Sequence, residues 1–244
     1  MQVQRVDYDN QNTPILYNSE IDEFAQDVLK DYKPSLLRKP GTINYEHFLE
    51  SYLGLTIMYK NIYNANPNKQ ILALAVFRDG TTKIFDRENE RVSNIIVKAN
   101  TVIIDNYVLE QNAIGFDMFT GLHEAGHFLL HREVFSVFRA GQLCCRQENK
   151  VGHNQNAKQK TAEQWREHHA NYFAAAIAMP NATFNPFVNQ ILRENHIYKR
   201  NIVLGRNEDS DILATELLPE YISETYGVSK QAALIKLKKN NFII

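Results

Sequence analysis

Between Gly121 and His131 the chain reads GLHEAGHFLLH, a run in which two histidines and a glutamate interrupt apolar residues that recur at helical spacing. The spacing predicts an α-helix and constrains where its polar side chains can go. Residues four apart share one face, so His123 and His127 can converge on a single metal ion, while Glu124, one step round, faces water beside it. Two imidazoles and a general-base carboxylate in HExxH order are the donor set of a zinc hydrolase. His131 continues the face by one more turn, out of reach of the same ion, and is expected to be buried or to support His127. The plain alternative is a pair of ordinary helix histidines satisfied by hydrogen bonds.

Catalytic zinc usually takes three protein ligands and keeps one position for water or substrate, so a third donor has to come from elsewhere in the chain. Glu167 is the candidate. It lies in the alanine-rich run TAEQWREHHANYFAAAIAMP, from Thr161 to Pro180, which is expected to be helical until Pro180 interrupts it. At about 100° per residue Glu167 shares a face with Glu163, Ala170, Ala174 and, near its edge, Asn171. Small alanines let this helix approach another closely. Asn171 could then orient one of the histidine rings. Glu163, one turn earlier, is the competing carboxylate, and His168 and His169 point away from the Glu167 face.

The segment HEAGHFLLH, followed by ExxANxFAxxxxMP from Glu167 to Pro180, resembles the ImmA/IrrE family of metallo-endopeptidases. Tyr45 to Tyr59 (YEHFLESYLGLTIMY) resembles that family's helix-then-strand entry, and Asn100 to Asn106 (NTVIIDN) the strand before its active-site helix. The resemblance implies zinc held by His123, His127 and Glu167. It also implies a protein substrate, a helix-turn-helix transcriptional repressor whose cleavage releases stress or mobile-element genes. The chain departs from the family pattern at His169, where members often carry an acidic residue, and in a long insertion between the two motif helices.

With 244 residues, 44% of them hydrophobic, the chain can bury a sizeable core as one domain or two small ones. A formal net charge of -1 supplies no global attraction to nucleic acid or anionic membrane. The first residues hold no apolar targeting segment, and the longest apolar run, Ile71 to Phe77, is too short to span a bilayer. Its only cysteines are the adjacent Cys144 and Cys145, which fits a reducing compartment, read as two free thiols. A cytoplasmic protein is expected.

Ile21, Phe24, Ala25, Val28 and Leu29 predict a first helix behind an N-cap signal at Ser19, and residues 44–53 a second one stopped by Gly54. Leu55 to Tyr59, Ile71 to Phe77, Thr82 to Phe85, Ile95 to Val97 and Val102 to Ile104 have strand-like composition. Asp79-Gly80 suggests a hairpin between the second and third of these. The edge of Val102–Ile104 would be available to pair with an extended substrate. Gly141 to Lys160 is polar and aperiodic, and is expected to be a surface loop that gates the zinc. Beyond it, residues 219–239 read as helix, glycine turn and Ser229-capped helix, a helix-turn-helix pattern whose Lys230, Lys236, Lys238 and Lys239 could serve DNA phosphates.

These readings combine into an α+β fold: a small, mostly antiparallel sheet with zincin-like active-site helices, then a helical C-terminal region with the helix-turn-helix-like pair. The expected division is a metallopeptidase domain at 1–180 and a helical region at 181–244. A zinc endopeptidase acting on a repressor is the leading function; a DNA-binding or scaffolding regulator with structural or no zinc is the alternative.

Overall fold

The computed structural model describes residues 7–66, 70–137, 142–147 and 161–244. Helix α1, Asn18–Tyr32, turns Ile21, Phe24, Ala25, Val28 and Leu29 inward. It starts just before the Ser19 signal, because Glu20 reaches back to accept from the Tyr17 backbone N–H at 2.6 Å. A second helix spans 45–52, α-helical as α2 at Tyr45–His47 and widening into a π turn at Phe48–Tyr52. Gly54, at φ +66°, then releases the chain into strand β1, Thr56–Lys60.

Strands β2, Gln70–Val76, β3, Gly80–Asp86, β4, Arg91–Val97, and β5, Thr101–Asp105, follow. The main sheet has four strands ordered β1-β5-β2-β6, where β6 is Gln142–Gln147. Only the β1–β5 pairing is parallel; β2 runs antiparallel to both of its neighbours. Strands β3 and β4 form a separate two-stranded ribbon.

Three expectations need correction here. The Asp79-Gly80 hairpin does not join β2 to β3, because both edges of β2 are already taken by β5 and β6. Asp79 instead accepts from the Ala99 backbone N–H at 2.8 Å and from Lys98 Nζ at 2.7 Å, fastening the base of the β3–β4 ribbon. Strand β5 is central and entirely buried, so it has no edge to offer a substrate; the outer strands are β1 and β6. The stretch expected to be a loop contains β6, with Cys144 and Cys145 opposite Leu74 and Ala73. Its remainder, and with it the gating role, lies outside the described residues.

Asp105 ends β5 and caps α3, Asn106–Glu110, by accepting from the Tyr107 backbone N–H at 2.9 Å. Helix α4, Phe116–Leu130, carries the HExxH segment and is buried on nearly every side over its last three turns, the condition of a core helix. After α5, Arg132–Val137, and β6 comes α6, Ala162–Ala178, capped by Thr161 and closed before Pro180 as the sequence predicts. Helix α7, Asn181–Glu194, and the short α8, Glu208–Ile212, lead through a π turn to α9, Leu218–Tyr226. The left-handed Gly227 and the Ser229 cap then open α10, Lys230–Lys239. One hydrophobic core gathers residues from Leu16 in the chain's first part to Phe242 and Ile243 at its end.

The start of α4 and the α9–α10 turn are pressed together. Gly115, which caps α4 at φ +70°, abuts Gly227: a Cβ at 115 would collide with the Gly227 carbonyl oxygen and lie 2.8 Å from Val228 Cα. Both obstacles are backbone, so they cannot swing aside. Gly115→Ala is therefore expected to cost about 2–4 kcal/mol, left-handed strain plus overpacking, in urea unfolding. Gly205→Ala, equally left-handed but with nothing near its Cβ, should lose only the strain, about 1 kcal/mol. Equal losses would show that the contact is not tight.

Candidate metal centre

Helices α4 and α6 meet where both have small residues. A Cβ on Gly126, inside the HEAGH segment, would stand 3.0 Å from Ala170 Cα and 3.3 Å from a Phe173 ring carbon. This close approach explains why Glu167, one turn before Ala170 on the same face of α6, reaches the histidines of α4. His123 Nε2 and His127 Nε2 stand 3.0 Å apart. Glu167 Oε2 is 3.3 Å from His123 Nε2, and its Oε1 is 3.4 Å from His127 Nε2. Donors bonded to zinc at about 2.0–2.2 Å in tetrahedral array sit roughly 3.3–3.6 Å from one another; the two Glu167 distances match that spacing, and the distance between the histidine nitrogens is slightly shorter. Among the described residues these three form the one group of three or more His, Cys, Asp or Glu side chains able to hold a metal. Glu163 is not in it.

The electrostatics suit a cation. His123 is 2% exposed and His127 0%; burial, with the charge of His123 adding to it, pushes His127 down to about 4 despite Glu167. His127 is thus neutral near pH 7. Burial alone would raise the Glu167 carboxyl, but the two facing imidazoles outweigh it and hold Glu167 well below the usual carboxylate range. A neutral His127 and an anionic Glu167 therefore face one another beside His123.

The outer ring nitrogens are held as well. His123 Nδ1 lies 3.1 Å from Asn171 Oδ1, an acceptor, so Nδ1 carries the proton and the Nε2 lone pair is turned inward. His127 Nδ1 lies 3.0 Å from His131 Nδ1, and His131 Nε2 is 3.4 Å from His169 Nδ1. Burial holds His131 well below its usual range. A neutral chain with His127 donating to His131 and His131 to His169 would leave the His127 Nε2 lone pair to a bound ion. His131 thus sits behind His127, as its spacing suggests. The partnership of His131 with His169 was not anticipated, since no spacing rule joins residues on different helices.

Glu124 is 0% exposed, next to His123 on α4. Two polar side chains of α6 are engaged elsewhere: the Tyr172 hydroxyl donates to Asp22 Oδ2 at 2.7 Å, and His168 Nε2 lies 3.0 Å from Asn18 Oδ1. No helix among the described residues is long and apolar enough to cross a membrane.

With this geometry in hand the chain can be classed. The sequence model of the M78 peptidase family, described as the IrrE N-terminal-like domain, matches residues 107–238, more than half of the chain. The chain belongs to this ImmA/IrrE peptidase family. The matched span begins within α3, takes in α4 and α6 and ends in α10. No curated protein is a significant match. Among solved structures, a Mycobacterium tuberculosis transcriptional regulator is similar over 95% of this chain, at TM-score 0.44 and 11% identity. This chain spans 49% of that one, about half its length.

Asn171→Ala removes the acceptor that orients His123 and is expected to weaken zinc binding about 10- to 100-fold, measured by competition with a chromogenic chelator. Wild-type affinity in this variant would remove the orienting role.

Proposed function

We propose that the chain is a zinc-dependent endopeptidase that hydrolyses a peptide bond in a protein partner. The observation that carries this reading is the convergence of His123 Nε2, His127 Nε2 and a Glu167 carboxylate oxygen, with Glu124 buried next to His123 in the chain, in a chain of a peptidase family. In this reading His123, His127 and Glu167 hold the ion. Zinc in such a site supplies Lewis-acid polarisation of a carbonyl and a lowered pKa for water in its coordination shell. The chain's own residues do the rest. Glu124 accepts a proton from the attacking water as the new C–O bond forms, then gives it to the departing amine as the C–N bond breaks. Asn171, and His131 backed by His169, keep the two imidazoles turned to the ion. The partner proposed is a helix-turn-helix repressor whose cleavage releases stress or mobile-element genes in the cytoplasm; this part rests on the family resemblance.

The regulator alternative loses ground on the placement of its lysines. Lys236 is buried, Lys239 Nζ lies 3.3 Å from the centroid of the Tyr172 ring, and Lys230 pairs with Glu220 at 3.1 Å. Among the described residues only Lys238 of the four stands exposed without such a contact, and one lysine makes a weak phosphate-binding face.

Metal analysis combined with Glu124→Gln separates the two readings. Wild type should carry about one zinc per chain, as for a three-ligand site, and a His123→Ala, His127→Ala double variant none. Glu124→Gln should keep its zinc and lose cleavage by roughly 10²- to 10⁴-fold, the range of a lost general base. Absence of zinc from wild type even after addition, or full cleavage by the Gln variant, would contradict the proposal.

A further inference from the structure

Beside the metal centre lies a cavity of about 300 Å³ lined by Phe119, Asn171, Tyr172, Met179, Lys236 and Lys239, among others. Its place is defined by residues already described. Asn171 is the side chain that holds His123, and Phe119 lies one helical turn before His123 on α4. The far wall is α10, which contributes Ala232, Ile235 and the two lysines. Asn171 is therefore shared between the cavity wall and the group of converging donors.

Its walls are mainly apolar, yet its charge is one-sided. Lys236 is only 4% exposed. Among the described residues its ammonium makes no hydrogen bond or ion pair; the nearest stabilising contact is the Phe184 ring, with the centroid 5.8 Å away. Lys239 rests on the Tyr172 ring. The one acidic group that bears on both lysines is Asp22, and its carboxylate is already accepting from the Tyr172 hydroxyl. Burial, then the charge of Lys236, pushes Lys239 down to about 8, and burial lowers Lys236 too. A buried ammonium without a counter-ion is costly. Lys236, buried, and Lys239, more exposed, both line this one cavity, and an anion is its complementary occupant.

We infer that this cavity is a specificity subsite that receives an acidic side chain of the substrate next to the scissile bond, with Lys236 and Lys239 binding its carboxylate and Phe119, Tyr172 and Met179 packing its methylenes. The inference rests on the peptidase reading above. It makes α10 part of substrate recognition, with its lysines reading a peptide carboxylate.

The zinc-loaded full chain is incubated with a library of peptides from a chymotryptic proteome digest, and residue frequencies around the new cuts are counted. Wild type should show Asp or Glu enriched on the order of tenfold, the worth of a charge-assisted hydrogen bond, at one position within two residues of the cut. In Lys236→Met and Lys239→Gln the remaining cuts should lose that enrichment, and Lys239→Glu should favour Lys or Arg at the same position. Cuts without acidic preference, an unchanged preference in the lysine variants, or cuts set by distance from the peptide's C-terminal carboxylate would each overturn the assignment while leaving the peptidase standing. A second arm needs no catalysis: immobilised Glu124→Gln protein, with and without the lysine substitutions, captures peptides from the same library. Lysine-dependent capture of acidic peptides with no cutting by wild type would place the failure in the peptidase reading and keep the cavity as a carboxylate site. Neither cutting nor lysine-dependent capture would overturn both.

Discussion

The contact of Gly126 with Ala170 is what the rest of the site depends on. Two helices far apart in sequence approach until a hypothetical methyl on one would press on the other's backbone. Only at that separation does a carboxylate on α6 reach imidazoles on α4. The residues that permit the approach are chemically inert, while those that exploit it lie within one turn of them on each helix. Behind them, Asn171 on one side and the His131–His169 pair on the other fix the ring nitrogens, so the inward lone pairs are set before any ion arrives. Preorganisation of this kind reduces what metal binding must supply in reorientation.

The helices of the site were legible in the sequence because each has an unambiguous period and a marked end. The HExxH run repeats at helical spacing, and the alanine-rich run stops at Pro180. Ser229 and Gly227 mark the C-terminal pair just as plainly, and both act as cap and turn. Strand pairing was far less legible. The Ile71–Phe77 run looked like half of a hairpin because Asp79-Gly80 follows it, but a buried apolar strand is consistent with two partners from anywhere in the chain. Its actual partners, β5 and β6, come about 30 and 70 residues later, a distance over which no local signal acts. Strand β6 was hidden for a related reason: Gln142–Gln147 has the polar composition of a loop and owes its strand conformation to the edge of β2.

Long-range packing also changes what the lysines of α10 mean. In sequence, Lys230, Lys236, Lys238 and Lys239 read as one basic face. In the structure Lys236 is buried and Lys239 lies across an aromatic ring of α6, so the helix turns positive charge towards the cavity it shares with Asn171 and Tyr172. The Gly115–Gly227 contact holds this arrangement from the other end by pressing the start of α4 against the turn that launches α10. The C-terminal helices and the HExxH helix are thus mechanically joined, and a substitution at the turn should be felt at the cavity.

The central claim is that the three converging side chains hold a zinc ion. A crystal of the zinc-loaded chain, measured on either side of the zinc absorption edge, tests it directly. The account predicts one anomalous peak within about 2.0–2.2 Å of His123 Nε2, His127 Nε2 and a Glu167 carboxylate oxygen, with Asn171 Oδ1 still facing His123 Nδ1. A peak held by other residues, or none in zinc-saturated crystals, would contradict it.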